Sequence, residues 1–263
     1  MILLALLLAA EPLRIAVPAP LGVAQARKDA SGIARLFSSI LRQEVSGQVA
    51  PQGLPQLVAE GKVDLAWLSA GEYVEASKTA KVIPVAKLIR GGLPFYRSVI
   101  FERKGAFKRL ADLKGKRLAF VSERSSAGYL LARRILVEAG FTEADLSKAR
   151  FLGDHAAVCK AVLEGEADAG ATFANDGRGG QLAGCVETAG EEKAGQLKAM
   201  VTSDPIPNDV IAMKPGSPDA QVTSLREALL SLRDSQKLQE IFHADGFAPA
   251  SDADFDTLRA LSR

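Results

Sequence analysis

Residues 57–66 and 161–170 read Leu-Val-Ala-Glu-Gly-Lys-Val-Asp-Leu-Ala and Ala-Val-Leu-Glu-Gly-Glu-Ala-Asp-Ala-Gly, so Val, Glu, Gly and Asp recur at an offset of 104. In both, a helix ends, Gly supplies its left-handed C-cap, and a strand begins with Asp at its mouth. The surroundings of each junction repeat as well. Near the first lie a strand at Leu13–Val17, a helix with Ile33, Leu36, Phe37, Ile40 and Leu41 on one face, a strand at Gln48–Ala50, a short helix at Leu54–Glu60 and a strand at Val63–Leu68. The order then restarts: strands at Arg97–Arg103 and Arg117–Val121, a helix at Ala127–Glu138, a strand at Ala149–Leu152 and a helix at Asp154–Glu164. Short strands alternating with helices imply crossover connections and a mostly parallel sheet covered on both faces. The chain is expected to be α/β, with two similar lobes.

Gly91-Gly-Leu-Pro94 divides the two sets, and Ser203-Asp-Pro-Ile-Pro207 divides the second from a final strand and helices. Gly and Pro pairs at both crossings suit hinges near 91–96 and 203–207. The lobes are then discontinuous, 13–92 with 206–263 forming the first and 95–203 the second. The helical tail, Asp252–Leu261 included, is expected to pack on the first. A molecule of this kind carries its ligand in a cleft between lobes, where strand ends and helix N-termini converge.

The chain balances 33 Lys+Arg against 31 Asp+Glu, and this near neutrality argues against a dedicated nucleic-acid binder. Residues 1–10 are apolar up to Glu11-Pro12, well short of the roughly 20 residues that a membrane span needs. They fit the apolar part of a secretory signal, although no Lys or Arg precedes them; a late start codon or a first buried strand are the alternatives. No stable membrane insertion is expected.

Chemistry-bearing residues are few. Cys159 and Cys185 are too few for a four-cysteine zinc site, and the only histidines are His155 and His243. His155 and Cys159 fall four apart on a helix, a spacing for two metal ligands, but no third ligand is near. The two cysteines can form a disulfide, worth roughly 3 kcal/mol in the chain-entropy picture, and their spacing leaves the pairing open. The sharpest feature is Val121-Ser-Glu-Arg-Ser-Ser-Ala-Gly-Tyr129, a strand end running through hydroxyl residues into a helix. Free amides of a first helical turn and the hydroxyls of Ser125 and Ser126 make an anion site, although plain capping accounts for the same residues. Gly153-Asp-His-Ala-Ala157 is a second strand-to-helix junction; His155 there can donate to an anion or, if protonated, neutralise it. Tyr96 and Trp67 are candidate cleft walls, and Asp176 and Asp209 candidate partners for a cation. No Gly-x-Ser-x-Gly elbow, His-Glu-x-x-His or general base beside the serines is present, so binding is favoured over catalysis.

Taken in order, Tyr96-Arg-Ser-Val-Ile-Phe101, Leu110-Ala-Asp-Leu-Lys-Gly-Lys-Arg-Leu-Ala-Phe-Val121, Ser125-Ser-Ala-Gly-Tyr129, Asp154-His155, Glu164–Gly170 and Pro205-Ile-Pro-Asn-Asp209 resemble the phosphate, phosphite and phosphonate periplasmic substrate-binding proteins of ABC transporters. Asp64-Leu-Ala-Trp-Leu68 and Gly246-Phe-Ala-Pro-Ala250 extend the resemblance to nearly the whole chain. It implies the two-lobed type II periplasmic-binding-protein fold with a ligand cleft between lobes, a small oxyanion as ligand, an ABC permease as partner, no cofactor and a periplasmic location. It further implies phosphonate oxygens held by Ser125, Ser126 and His155, a cleft Tyr96, Asp209 near the far side of the ligand, and Asp176 at a ligand amine. The family turn carries a third hydroxyl where this chain has Ala127, which removes one side-chain donor. The alternative is a periplasmic sensing module that hands its ligand-bound state to a receptor.

Overall fold

The computed structural model describes residues 11–19, 23–123, 125–176, 180–233 and 235–261; the apolar segment 1–10 and Arg124 lie outside them. The chain begins β1 (Leu13–Val17), α1 (Val23–Leu41), β2 (Val45–Val49), α2 (Leu54–Ala59), β3 (Leu65–Leu68), α3 (Ala70–Thr79) and β4 (Ile83–Ile89). It continues with β5 (Phe95–Arg103), β6 (Leu118–Phe120), a π-helical turn (Ser126–Leu130) leading into α4 (Leu131–Glu138), β7 (Arg150–Phe151), α5 (His155–Leu163) and β8 (Ala169–Ala174). Next come α6 (Ala183–Ala189), α7 (Glu191–Ala194), β9 (Leu197–Thr202), β10 (Ile206–Pro207) and β11 (Val210–Met213). The last elements are α8 (Asp219–Ser231), α9 (Ser235–Phe242), β12 (Gly246–Pro249) and α10 (Asp256–Leu261).

These elements form two compact units, Met1–Leu88 with Asp209–Ser251 and Ile89–Asn208 with Asp252–Arg263. In the first, the strand order is β12-β4-β11-β3-β1-β2, and Ile15, Ile33, Phe37, Leu65, Trp67 and Phe242 fill its core. The second has the order β10-β5-β8-β6-β7 with β9 beside β5. Adjacent residues of β5 point to opposite faces, so Ile100 joins a core with Phe120 and Leu136 while Phe101 joins one with Val158 and Val162.

Each sheet holds a parallel trio, β2-β1-β3 in one and β7-β6-β8 in the other. The strands beyond each trio pair antiparallel, as β11 does with β3 and β5 with β8. The expectation of mostly parallel sheets is therefore corrected to mixed ones. The flanking strands arrive where the chain passes between units, without a crossover helix to impose the parallel direction.

The junctions that share Glu, Gly and Asp superpose in chemistry. Gly61 and Gly165 have φ of 69° and 75°, the left-handed region that glycine enters without strain. Asp64 accepts from the Arg14 amide at 2.7 Å and returns its own amide to the Arg14 carbonyl at 2.9 Å. Asp168 does the same with Arg117, at 2.8 Å in both directions.

One boundary expectation differs from the structure. Asp252–Leu261 falls in the second unit rather than the first: Phe255 is fully buried and Leu258 nearly so, on a segment that packs against β10. Gly91 and Gly92, placed in a hinge by the sequence reading, form a two-residue turn with φ of 59° and 83° in which Arg90 and Leu93 exchange both backbone hydrogen bonds. A Cβ on Gly91 would stand 2.6 Å from the Asn175 amide nitrogen, and that nitrogen holds the Arg90 carbonyl at 2.8 Å.

Candidate functional site

Val121 follows β6, and four residues later the chain enters helix through five-residue hydrogen bonds instead of four: the Leu130 and Leu131 amides reach back to the carbonyls of Ser125 and Ser126. Two contacts hold the wide turn open. The Ser98 hydroxyl donates to the Ala127 carbonyl at 2.6 Å, and the Val121 amide donates to the Gly128 carbonyl at 3.2 Å. Gly128 is required for space, because a Cβ there would meet Val121 Cγ2 at 2.4 Å and Ser125 Oγ at 2.7 Å. Ser125 is the N-cap, its Oγ accepting from the Gly128 amide at 3.0 Å, which leaves its own proton to donate. The amides of Ser126 and Ala127 have no partner among the described residues. The turn is thus a cap whose hydroxyls and amides retain unused donors, both features that the sequence offered as alternatives. Ala127 is buried, its methyl packed where a hydroxyl side chain would be a further donor.

His155 opens α5, after Asp154 caps the helix by accepting from the Ala157 amide at 2.7 Å. Its Nδ1 lies 2.8 Å from Thr172 Oγ1, and the Phe173 ring meets it edge-on at 5.0 Å. Burial pushes the imidazole pKa down to about 4, with the Asp154 charge opposing weakly. The ring is therefore neutral near pH 7 in the ligand-free chain. Cys159, on the same helix, is bonded to Cys185 of α6, which decides the open cysteine question and removes the sulfur as a metal ligand.

The remaining second-unit candidates stand near the same strand ends. Tyr96 faces Ile206 in the β5–β10 pairing. Asp176, expected at a ligand amine, is ion-paired with Arg97, its carboxylate 2.8 Å from Nε and still 45% exposed, while Arg97 also donates to the Ser203 carbonyl at 2.8 Å. In the first unit, Trp67 is only 3% exposed and packs on Phe242, so it is a core residue rather than a wall; its Nε1 donates to Asp209 at 3.1 Å. Asp209 thus has a partner in its own unit. Nearby, burial raises the Glu72 carboxyl above its ordinary pKa, and the Asp209 charge adds to the shift against the Ser69 hydrogen bonds.

The sequence reading passed over Ser98, Arg97 and Thr172. Thr172 carried a usable signal, being the sole polar side chain in the apolar strand Ala-Gly-Ala-Thr-Phe-Ala.

A family model described as ABC transporter, phosphonate, periplasmic substrate-binding protein matches residues 22–255. The chain belongs to this family. The phosphate-import protein PhnD of Mycolicibacterium smegmatis is 30% identical, with 79% of this chain and 70% of that protein covered. Among solved structures, XAC2383 of Xanthomonas citri bound to ATP matches with a TM-score of 0.78 at 19% identity, covering 95% of each chain. PhnD1 of Prochlorococcus marinus in complex with methylphosphonate matches with a TM-score of 0.73 at 19% identity, covering 95% of this chain and 97% of that one. At such identities the likeness is one of fold, that of the type II periplasmic binding proteins. No helix among the described residues is long and apolar enough to cross a membrane.

Proposed function

We propose that the protein is an exported capture protein for a phosphate, phosphite or phosphonate oxyanion, delivered to an ABC permease in the periplasm, with residues 1–10 acting as the signal segment. The observation that carries the reading is the turn at 125–128. It is braced by Ser98 and Val121, allows no Cβ at Gly128, and retains hydroxyl and amide donors at its mouth. Oxyanion oxygens would take the Ser125 and Ser126 hydroxyls and the Ser126 and Ala127 amides, at the positive end of a helix. His155, neutral, adds a directional donor and no charge. Family membership and the name of the Mycolicibacterium relative support the ligand class. Because Asp176 is already paired with Arg97, the reading favours an oxyanion without an amine tail.

Mass spectrometry of the purified protein would identify a retained ligand, and calorimetry would rank inorganic phosphate, phosphite and methylphosphonate. Ser126→Ala should weaken the best of them by about 1.5–3 kcal/mol, the range for a hydrogen bond to a charged group. Unchanged affinity in a folded Ser126→Ala protein would return the turn to a capping role and sink the proposal.

A further inference from the structure

His155 is held by a closed set of contacts that reaches beyond its own helix. Thr172, fully buried in β8, brings Oγ1 to 2.8 Å from Nδ1. Gly184 of α6 leaves room for that hydroxyl, since a Cβ there would stand 2.0 Å from the oxygen. The next residue, Cys185, is bonded to Cys159, one turn beyond His155 on α5. The imidazole, the hydroxyl, the glycine and the disulfide therefore form one ring of constraints within the second unit.

That ring has a chemical consequence. A neutral imidazole carries one N–H and one bare lone pair, and which nitrogen holds the proton depends on the partner of the other. Among the described residues, His155 Nδ1 is the sole hydrogen-bond partner of Thr172 Oγ1. If Nδ1 donated, the hydroxyl proton would be left buried without an acceptor, a costly state. If the hydroxyl donates, both it and Nδ1 are satisfied, and the proton of the ring sits on Nε2. We propose that Thr172 is a positioning residue that fixes His155 as the Nε2–H tautomer, with Gly184 and the Cys159–Cys185 bond holding the hydroxyl and the helix in place. Resting on the reading of His155 as an oxyanion ligand, this decides the sign of the contact: Nε2–H attracts an oxyanion, whereas a bare Nε2 lone pair repels it.

The tautomer is measurable without ligand. Imidazole 15N spectra of the ligand-free protein at neutral pH should show a protonated, pyrrole-type Nε2 and a pyridine-type Nδ1 for His155; the reverse pattern overturns the proposal. Thr172→Val keeps the shape and removes the donor, and should weaken methylphosphonate and inorganic phosphate roughly 10-fold, while Thr172→Ser stays within about 3-fold of wild type. In a His155→Ala background, Thr172→Val should change affinity by less than about 2-fold. An equal loss in both backgrounds means that Thr172 only supports the fold, and overturns the proposal. If neither anion binds the wild-type protein, the functional reading falls, and the 15N spectrum still decides the tautomer. If Thr172→Val does not fold, the wild-type spectrum decides it likewise.

Discussion

Asp64 and Asp168 close the same helix-to-strand junction in different surroundings. Both bind the backbone of an arginine that precedes or opens a parallel strand. Asp64 has a side chain only 8% exposed and adds Lys214 at 2.6 Å, whereas Asp168, 23% exposed, adds the guanidinium of Arg117. The difference continues at the other end of the strands. In the first unit α2 begins with Leu54, which is buried, after Gly53 in the left-handed region. In the second, the matching helix α5 begins with His155 behind a capping Asp154. One frame has thus been closed by apolar and buried ionic contacts in one copy and turned outward with donors in the other. The repeated residues secure the frame, and the proposed oxyanion site draws on residues where the copies diverge.

The sharpest way to break this comparison is at the paired acids. Asp64→Ala should cost about 1–3 kcal/mol in urea unfolding, because it leaves the part-buried Arg14 amide without its acceptor, while the Lys214 ammonium, 37% exposed, can turn to water. Asp168→Ala, with its partner largely in water, should cost less than about 1 kcal/mol. Similar losses would mean that the two junctions are energetically alike. Burial works to raise the Asp64 pKa, but Lys214 and the Arg14 amide outweigh it, and Arg117 lowers that of Asp168. Each acid therefore stabilises the fold above roughly pH 4 and loses that contribution as pH falls through its depressed pKa.

A second test uses the histidine at the start of α5, where α2 of the first unit has Leu54. Folded His155 titrates at about 4 while the unfolded ring titrates near the ordinary 6.5. Between those values the unfolded chain takes up a proton that the folded chain refuses, so stability drops as pH falls. From pH 7 to pH 5 the drop should be about 2 kcal/mol, and His155→Gln should flatten it. An unchanged slope in the variant would place the titration elsewhere.

The smallest effect separates two kinds of glycine. Gly128→Ala should cost about 1–2 kcal/mol by forcing Val121 and Ser125 apart, and should abolish detectable anion binding by calorimetry. At Gly53 a Cβ meets nothing within 4 Å, yet φ of 76° strains any other residue, so Gly53→Ala should lower stability while leaving anion affinity unchanged. Loss of binding in both variants would remove the distinction between units.

The frame was legible because it depends on local rules. A glycine ending a helix, an acid opening a strand and serines preceding a helix each show within ten residues. What escaped the sequence depends on partners far along the chain. The partner of Asp176 in this structure, Arg97, stands 79 residues earlier, where no local rule connects the two. Trp67 looked like a cleft wall because a strand end carries no mark of Phe242 lying on its ring. The start of the helix expected at Ala127–Glu138 is a π-helical turn, which no local pattern marks, since the Ser98 hydroxyl that opens it sits on another strand. The placement of Asp252–Leu261 was missed for the same reason: its apolar spacing fits either unit, and the burial of Phe255 decides.

That last segment bears on the order in which the protein is made. Residues 89–208 emerge in the middle of synthesis and would otherwise complete a unit while the rest of the chain is still being added. Yet Phe255 and Leu258, buried in the same unit, follow some 50 residues later, and the first unit likewise waits for the strands and helices of 209–251. Neither unit can finish folding until residues 209–261 have been added to the chain.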